Sequence, residues 1–273
     1  MRVALAGCRS VDDPDEPLLL DALTRAGVTA AAAAWDAPVD WSSYDLVVVR
    51  STWDYVGRRE EFLAWAESVP RLANPAHVLR WNTDKRYLAE LADAGVPVVP
   101  TTYVDSAFVP PPGEYVVKPT VSAGAADTAR YGPADSAAAV AHVERLLGAG
   151  RQVMVQPYLR SVETRQETSV LYLGGVFSHG ARKGRVLTGT GALSPDDWDI
   201  GARSPSTAEL ALAEQVLAEV AEPLLYARVD LLEGEDGPVL LELELTEPYL
   251  FLSFAEGAAD RFAAAITHEA ATP

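Results

Sequence analysis

Arg228-Val229-Asp230 and Leu241-Glu242-Leu243-Glu244 are apolar runs interrupted by charge at every second position. Side chains in a strand alternate between faces, so Arg228 shares a face with Asp230 and Glu242 with Glu244. Carboxylates aimed the same way from an apolar strand repel one another unless a cation lies between them, and a hard divalent ion accepts such oxygen ligands. Asp230, Glu242 and Glu244 are therefore candidate ligands for Mg²⁺, with Mn²⁺ as a substitute. Arg228, on the face of Asp230, is placed to reach a phosphate. Two earlier stretches complete the set. Tyr115-Val116-Val117-Lys118-Pro119 places a lysine in a strand, and Val153-Met154-Val155-Gln156-Pro157-Tyr158-Leu159 is an apolar strand that meets a proline. Fixed cations and an oxygen-held metal are what the charge of a nucleoside triphosphate requires.

In this order and spacing the segments resemble the ATP-grasp superfamily, over about residues 85–247. The resemblance implies that Lys118 binds the phosphates of ATP, with Lys85 as its partner. It also implies that Ser122 and Gly124, in Ser122-Ala123-Gly124-Ala125-Ala126-Asp127, come close to the phosphates, where small residues let backbone N–H groups approach. Adenine would lie against residues 153–155, with backbone groups between Gln156 and Leu159, Tyr158 included, reading its edge. Glu163 and Glu167 both stand where a carboxylate for the ribose hydroxyls is expected, and spacing slightly favours Glu163. Many superfamily members carry asparagine where Glu244 stands, which adds a negative charge here but keeps an oxygen ligand.

Outward from these segments the texture divides. Residues 2–6 and 45–50 read as buried strands, with a helix at 17–26 closed by Gly27, the start of an open parallel sheet. The alanine run 30–34 fits a strand or a helix. Further helices are expected at 60–68 and at 84–94, the second closed by Gly95. From about Thr101 short β-branched strands take over, forming a mixed sheet, with a hairpin at Gly174-Gly175 and a helix at 134–147. Ser206-Thr207-Ala208-Glu209 is a capping box opening a helix that ends before Pro223. The expected class is α/β and α+β: an ATP-grasp fold with an N-terminal open parallel α/β lobe (1–83), a central α+β lobe (84–157) and a C-terminal mixed-sheet lobe carrying the metal ligands (158–273).

A closer resemblance lies in Val49-Arg50-Ser51-Thr52-Trp53-Asp54-Tyr55, Arg80-Trp81-Asn82-Thr83-Asp84-Lys85-Arg86-Tyr87-Leu88, Ser178-His179-Gly180-Ala181-Arg182-Lys183 and Glu242-Leu243-Glu244-Leu245-Thr246-Glu247-Pro248. These are similar to the ATP-grasp subgroup containing the cyclo-ligase of D-cycloserine biosynthesis, which closes O-ureido-D-serine. The resemblance implies an ATP-dependent carboxylate ligase that works through an acyl phosphate and joins a small amino-acid-like carboxylate to a nitrogen nucleophile, by intermolecular ligation or by cyclisation. Arg50, Ser51 and Asp54, at the C-terminal end of a parallel strand, would grip the substrate's carboxylate and amine. Arg182 and Lys183 would join Arg228 in stabilising the acyl phosphate. His179 is expected to be a structural hydrogen-bonding residue. A kinase, a protein-modifying ligase and a nucleotide-binding regulator without catalysis stay open as alternatives.

Composition agrees. The chain has 273 residues, 49% of them hydrophobic, and a formal net charge of −17, which repels nucleic acid at long range and requires any nucleotide site to be a local basic pocket. One cysteine, Cys8, allows no intramolecular disulfide and no cysteine-rich metal centre. No run is long enough to span a membrane. A cytoplasmic enzyme acting on a small molecule is expected, without nucleic-acid or membrane partners, and a homodimer is compatible with the sequence.

Overall fold

Val3, Ala4, Leu5 and Ala6 are all buried, so strand β1 (Arg2–Gly7) is covered on both faces, as a central strand of a parallel sheet must be. In the computed structural model, which describes residues 1–9, 13–188, 191–192 and 198–272, helix α1 (Glu16–Arg25) leads from β1 to β2 (Thr29–Ala34), and helix α2 (Arg59–Ser68) leads from β3 (Leu46–Val49) to β4 (Leu72–Ala73). The four strands form a parallel sheet in the order β2-β1-β3-β4. Alternation sorts the core. Val3, Leu5, Leu46 and Val48 join the cluster of Leu19 and Leu23 on α1, whereas Ala4, Ala6, Val47 and Val49 join Phe62 and Leu63 of α2. The alanine run is a strand because Gly27, at φ +74°, turns the chain after α1 and lays residues 29–34 in register along residues 2–7. Sheet pairing here overrides the helix preference of alanine.

Helices α3 (Ala76–Asn82) and α4 (Tyr87–Asp93) follow. Lys85 lies ahead of α4 rather than inside it, its backbone N–H donating to the Thr120 carbonyl at 2.9 Å. Tyr87, Leu88 and Leu91 of α4 share a core with Val170, Val229 and Leu243. The start of the central lobe expected at residue 84 is therefore not a packing boundary. The separate central core takes in Val104 of β5 (Thr102–Val104), then β6 (Tyr115–Pro119), β7 (Ala129–Tyr131), helix α5 (Ser136–Gly148) and β8 (Val153–Pro157). Their order is β5-β8-β6-β7, antiparallel at every pairing rather than mixed. Tyr115, Val117, Val153 and Val155 pack on Ala139, Val143 and Leu146 of α5, so Lys118, Met154 and Gln156 point to the other face.

The short helix α6 (Ser161–Thr164) leads into β9 (Glu167–Leu173) and β10 (Val176–Lys183). They are joined by Gly174-Gly175, whose φ values of +60° and +75° suit a tight hairpin turn that glycine enters without strain. A ribbon of β11 (Leu187–Thr188) and β12 (Gly191–Ala192), then β13 (Ile200–Ala202), helix α7 (Thr207–Ala218), β14 (Tyr226–Glu233), β15 (Pro238–Glu244) and helix α8 (Ala258–Ala271) complete the chain. The sheet β13-β10-β9-β14-β15 is antiparallel, and a parallel bridge between Val98 and Leu240 makes it mixed at one edge. The capping box opens α7: Ser206 N–H donates to the Glu209 carboxylate at 2.7 Å, and Glu209 N–H to Ser206 Oγ at 3.2 Å. Leu212, Ala213 and Val216 of α7 cover one face of this sheet. On the other, Leu171 and Leu173 share a core with Phe262 and Ile266 of α8 and with Leu5 and Leu19 of the first lobe.

Candidate active site

The register of the five-stranded sheet decides which charges meet. Arg228 opposes Leu171 and Glu244, Asp230 opposes Ser169 and Glu242, and Lys183 opposes Glu167. Directly opposed residues project to the same side. One sheet face therefore begins apolar, with Leu171, Leu173 and Tyr226 in the core shared with α8, and ends ionic, with Glu167, Lys183, Arg228, Asp230, Glu242 and Glu244. Arg182, the strand neighbour of Lys183, falls on the opposite face. Its guanidinium is held by Asp199 at 2.8 Å and by the Gln166 side chain at 3.1 Å. Of the two cations expected beside the acyl phosphate, alternation thus brings only Lys183 to the acidic cluster.

The ionic end is dense. Asp230, 1% exposed, accepts from Ser169 Oγ at 2.6 Å, from Arg228 Nε at 3.0 Å and from an Arg228 terminal nitrogen at 2.9 Å. The same guanidinium contacts Glu244. Lys183 Nζ lies 2.5 Å from Glu167 and 3.8 Å from Asp230. Burial would raise the pKa of Asp230, but Arg228 and Lys183 outweigh it and hold the carboxyl below its ordinary value. Burial prevails at Glu167 and Glu244. It pushes Glu167 up to about 7 against the attraction of Lys183. Glu244 also rises to about 7, by burial and the charges of Glu242 and Asp230 against Arg228.

Across from this strip stand the lysines. Lys85, buried, donates from Nζ to the Ser122 carbonyl at 2.7 Å and lies 3.1 Å from Glu242. That pairing outweighs desolvation and raises its pKa. Lys118 is equally buried, and desolvation depresses its pKa with only partial relief from the charge of Glu242. Among the described residues no hydrogen bond or ion pair holds its ammonium. Beyond Ser122 the chain passes through left-handed conformations at Gly124, Ala125 and Asp127, with φ between +53° and +58°. Gln156 donates to Thr101 Oγ1 at 2.9 Å. Leu159 is half-buried at the start of the segment leading to α6. Tyr158 lies under the Arg130 guanidinium, 3.7 Å from ring centroid to carbon, and its hydroxyl donates to Glu163 at 3.2 Å. Glu163 also accepts from Arg130 at 2.9 Å. The two ribose candidates thus part company: Glu163 is a partly exposed side chain beside Tyr158, whereas Glu167 belongs to the buried ionic strip.

Among the described residues, no three acidic, histidine or cysteine side chains already converge into a cation cage. The donor set of Asp230, Glu242 and Glu244 is nonetheless all carboxylate oxygen, the chemistry that suits Mg²⁺, and burial with the charges of Glu242 and Asp230 raises Glu244 despite Arg228.

The substrate grip expected at Arg50, Ser51 and Asp54 takes a different form. Arg50 is 2% exposed, its guanidinium 3.2 Å from Asp13 and 3.3 Å from the Pro248 carbonyl. Asp54 accepts from Trp35 Nε1 at 2.9 Å and from Arg58 at 2.8 Å. Both are engaged by the protein itself, Arg50 partly by the loop after β15 and Asp54 by residues of its own lobe. Ser51 is buried against Gly7, where a Cβ would stand 3.0 Å from its hydroxyl. His179 bonds to the Leu250 carbonyl at 2.9 Å, a structural contact. Sequence reasoning passed over Glu247, a buried carboxyl at this junction whose pKa is pushed up to about 8 by burial and by the charge of Glu244. Its signal was its third acidic position in Glu242-Leu243-Glu244-Leu245-Thr246-Glu247.

A family model described as the N-terminal domain of the D-cycloserine synthetase DcsG matches residues 3–74. The cycloserine biosynthesis protein DcsG of Streptomyces lavendulae is 42% identical over 278 residues, which covers 93% of this chain and 93% of that protein. A crystal structure of D-cycloserine synthetase DcsG superposes with a TM-score of 0.90 at 38% identity, over 99% of this chain and 100% of that one. The ATP-grasp ligase PsnB, solved with a precursor variant, Mg and ADP, shares the fold at a TM-score of 0.63 and 17% identity, over 98% of each chain.

Proposed function

The chain belongs to the family of the D-cycloserine synthetase DcsG, ligases of ATP-grasp fold, and on that footing we propose that it closes a small amino-acid-like substrate of the O-ureido-D-serine type through an acyl phosphate. The observation that carries this reading is the polar half of one sheet face, where Lys183, Arg228, Asp230, Glu242 and Glu244 come together opposite Lys85 and Lys118. In the proposed sequence a substrate carboxylate oxygen attacks the γ-phosphorus and the bond to the β-phosphate oxygen breaks. A nitrogen of the same molecule then attacks the acyl carbon and inorganic phosphate leaves. Lys85 and Lys118 bind phosphate oxygens, and Arg228 with Lys183 meets the charge that develops on the transferring group. Positioning of the two reacting ends supplies the remaining acceleration. Asp230, Glu242 and Glu244 would hold Mg²⁺, or Mn²⁺ in its place, which when bound neutralises phosphate charge. Ser122, Gly124 and the segment from Gln156 through Tyr158 to Leu159 would line the nucleotide, with Glu163, more open than Glu167, toward the ribose.

No helix among the described residues is long and apolar enough to cross a membrane. A cytoplasmic location and a homodimer complete the proposal. The test is ADP release with O-ureido-D-serine, followed by mass spectrometry of the product. Cyclised product in one-to-one ratio with ADP is expected. A phosphorylated substrate that accumulates without a new carbon–nitrogen bond would replace the ligase by a kinase.

A further inference from the structure

Every acidic side chain of the ionic strip has a cation of the protein beside it. Glu242 has Lys85, Glu167 has Lys183, and Asp230 and Glu244 share Arg228. Glu247 differs. It is 8% exposed, and among the described residues no lysine or arginine nitrogen lies within ion-pair distance of its carboxylate. Lys85, whose charge reaches it, is already bonded to Glu242 and Ser122. What does hold Glu247 is neutral and comes from the first lobe. Tyr55, buried, stands beside the carboxyl, where its hydroxyl favours the charged form, and Trp53 Nε1 donates to the Glu247 backbone carbonyl at 2.9 Å. Two aromatic side chains after β3 therefore fix the position of a carboxylate and leave its counter-charge unsupplied. Isolated charge of this kind is costly unless a partner arrives.

We propose that Glu247 is the acceptor for the ammonium of the substrate, with Tyr55 as its positioning residue, so that the site selects an α-amino acid over the corresponding acid without the amine. The proposal rests on the ligase reading for the identity of the substrate. Glu247 stands three residues past Glu244 on the loop leaving β15, next to the strip where the substrate carboxylate must meet the γ-phosphate. An α-amino acid carries its ammonium one carbon from that carboxylate. A ligand without the amine gives Glu247 no cation to pair with, and a buried polar group left without its partner is the condition under which a polar site discriminates most strongly.

The experiment compares O-ureido-D-serine with 3-(ureidooxy)propionate, its counterpart without the amine, by calorimetric titration in the presence of Mg²⁺ and a non-hydrolysable ATP analogue. The parent protein is expected to prefer the amine-bearing ligand at least tenfold. Glu247→Gln is expected to erase that preference while binding the ATP analogue as the parent does, and Tyr55→Phe to reduce it partly. Equal binding of both ligands by the parent overturns the proposal without any variant. So does a preference that survives in folded Glu247→Gln, and so does failure of the parent to bind either ligand. If the preference behaves as expected but the parent releases no ADP from O-ureido-D-serine, the ammonium site stands and the ligase reading falls.

Discussion

Lys118 carries an ammonium into a buried position where no group of the protein neutralises it fully, and its depressed pKa records that cost. A residue kept in this state is poised for an anionic ligand. Replacing it by methionine, of similar length and no charge, removes a buried and poorly compensated cation. Lys118→Met is therefore expected to melt at the same temperature as the parent or a few degrees higher when nucleotide-free, yet to bind ATP more weakly by about 1.5–3 kcal/mol, the contribution of a hydrogen bond to a charged group. Thermal melting and ATP titration on one preparation check both halves, and an unchanged ATP affinity would remove Lys118 from the nucleotide site. The strand context of Lys118 was legible because valine neighbours force the alternate residue outward. Arg50 shows the limit of such reading. Its position at a strand end pointed to substrate, but its partners Asp13 and Pro248 are remote in sequence, and no local pattern announces a cation enclosed between a distant loop of its own lobe and a carbonyl of another.

β15 is an edge strand that carries two of the candidate metal ligands, and its free side needs partners. The backbone of Pro97 and Val99 serves Leu240, and beyond it side chains supply them. The Tyr87 hydroxyl donates to the Leu243 carbonyl at 2.8 Å and accepts from the Leu243 N–H at 2.9 Å. The Asn82 side chain donates to the same carbonyl at 2.7 Å and accepts from the Leu245 N–H at 2.8 Å. Asn74 donates to the Leu245 carbonyl at 2.8 Å. The stretch from Arg80 to Leu88, which in sequence only marked a resemblance, is thus a latch that holds Glu242 and Glu244 in register. Tyr87→Phe keeps the ring but strands the Leu243 N–H, while the Leu243 carbonyl keeps Asn82, and is expected to lower stability by about 1–3 kcal/mol. It should also weaken the Mg²⁺ dependence of turnover, although Tyr87 is placed to touch neither metal nor nucleotide. Denaturant unfolding and Mg²⁺ titration of activity decide this, and parent-like values in both would reduce the latch to ordinary packing. The strands themselves were readable from period-two alternation. Side-chain bonding to a strand edge has no periodicity, so the latch was not.

At the scale of the whole molecule, one face of the five-stranded sheet seals the first lobe to the third with its apolar half and holds the ionic strip with the other half. The fold therefore carries strained charge that ligands relieve. Glu244 rises from 4.5 to about 7 and Glu247 from 4.5 to about 8, burial being the largest cause in each. For a carboxyl whose folded pKa is raised, the stabilising contribution is complete below the unfolded value and is lost as pH climbs through the folded one. His142 and His179, depressed below 6.5 by burial, act in the opposite sense but only as pH falls below 6.5. Between pH 6.5 and about 8 the carboxyls dominate, and the melting temperature of the nucleotide-free protein is expected to fall and then level as pH passes the folded values. Mg²⁺ with an ATP analogue brings positive charge to Glu244, favours its ionised form and releases protons on binding. The fall should then flatten, and calorimetry in buffers of different ionisation enthalpy should record net proton release near pH 7. Glu244→Gln and Glu247→Gln should each reduce the slope without ligand. A nucleotide-free melting temperature that is level across this range would mean that these carboxyls are not held protonated, and that the strip is balanced by the protein's own cations before any metal arrives.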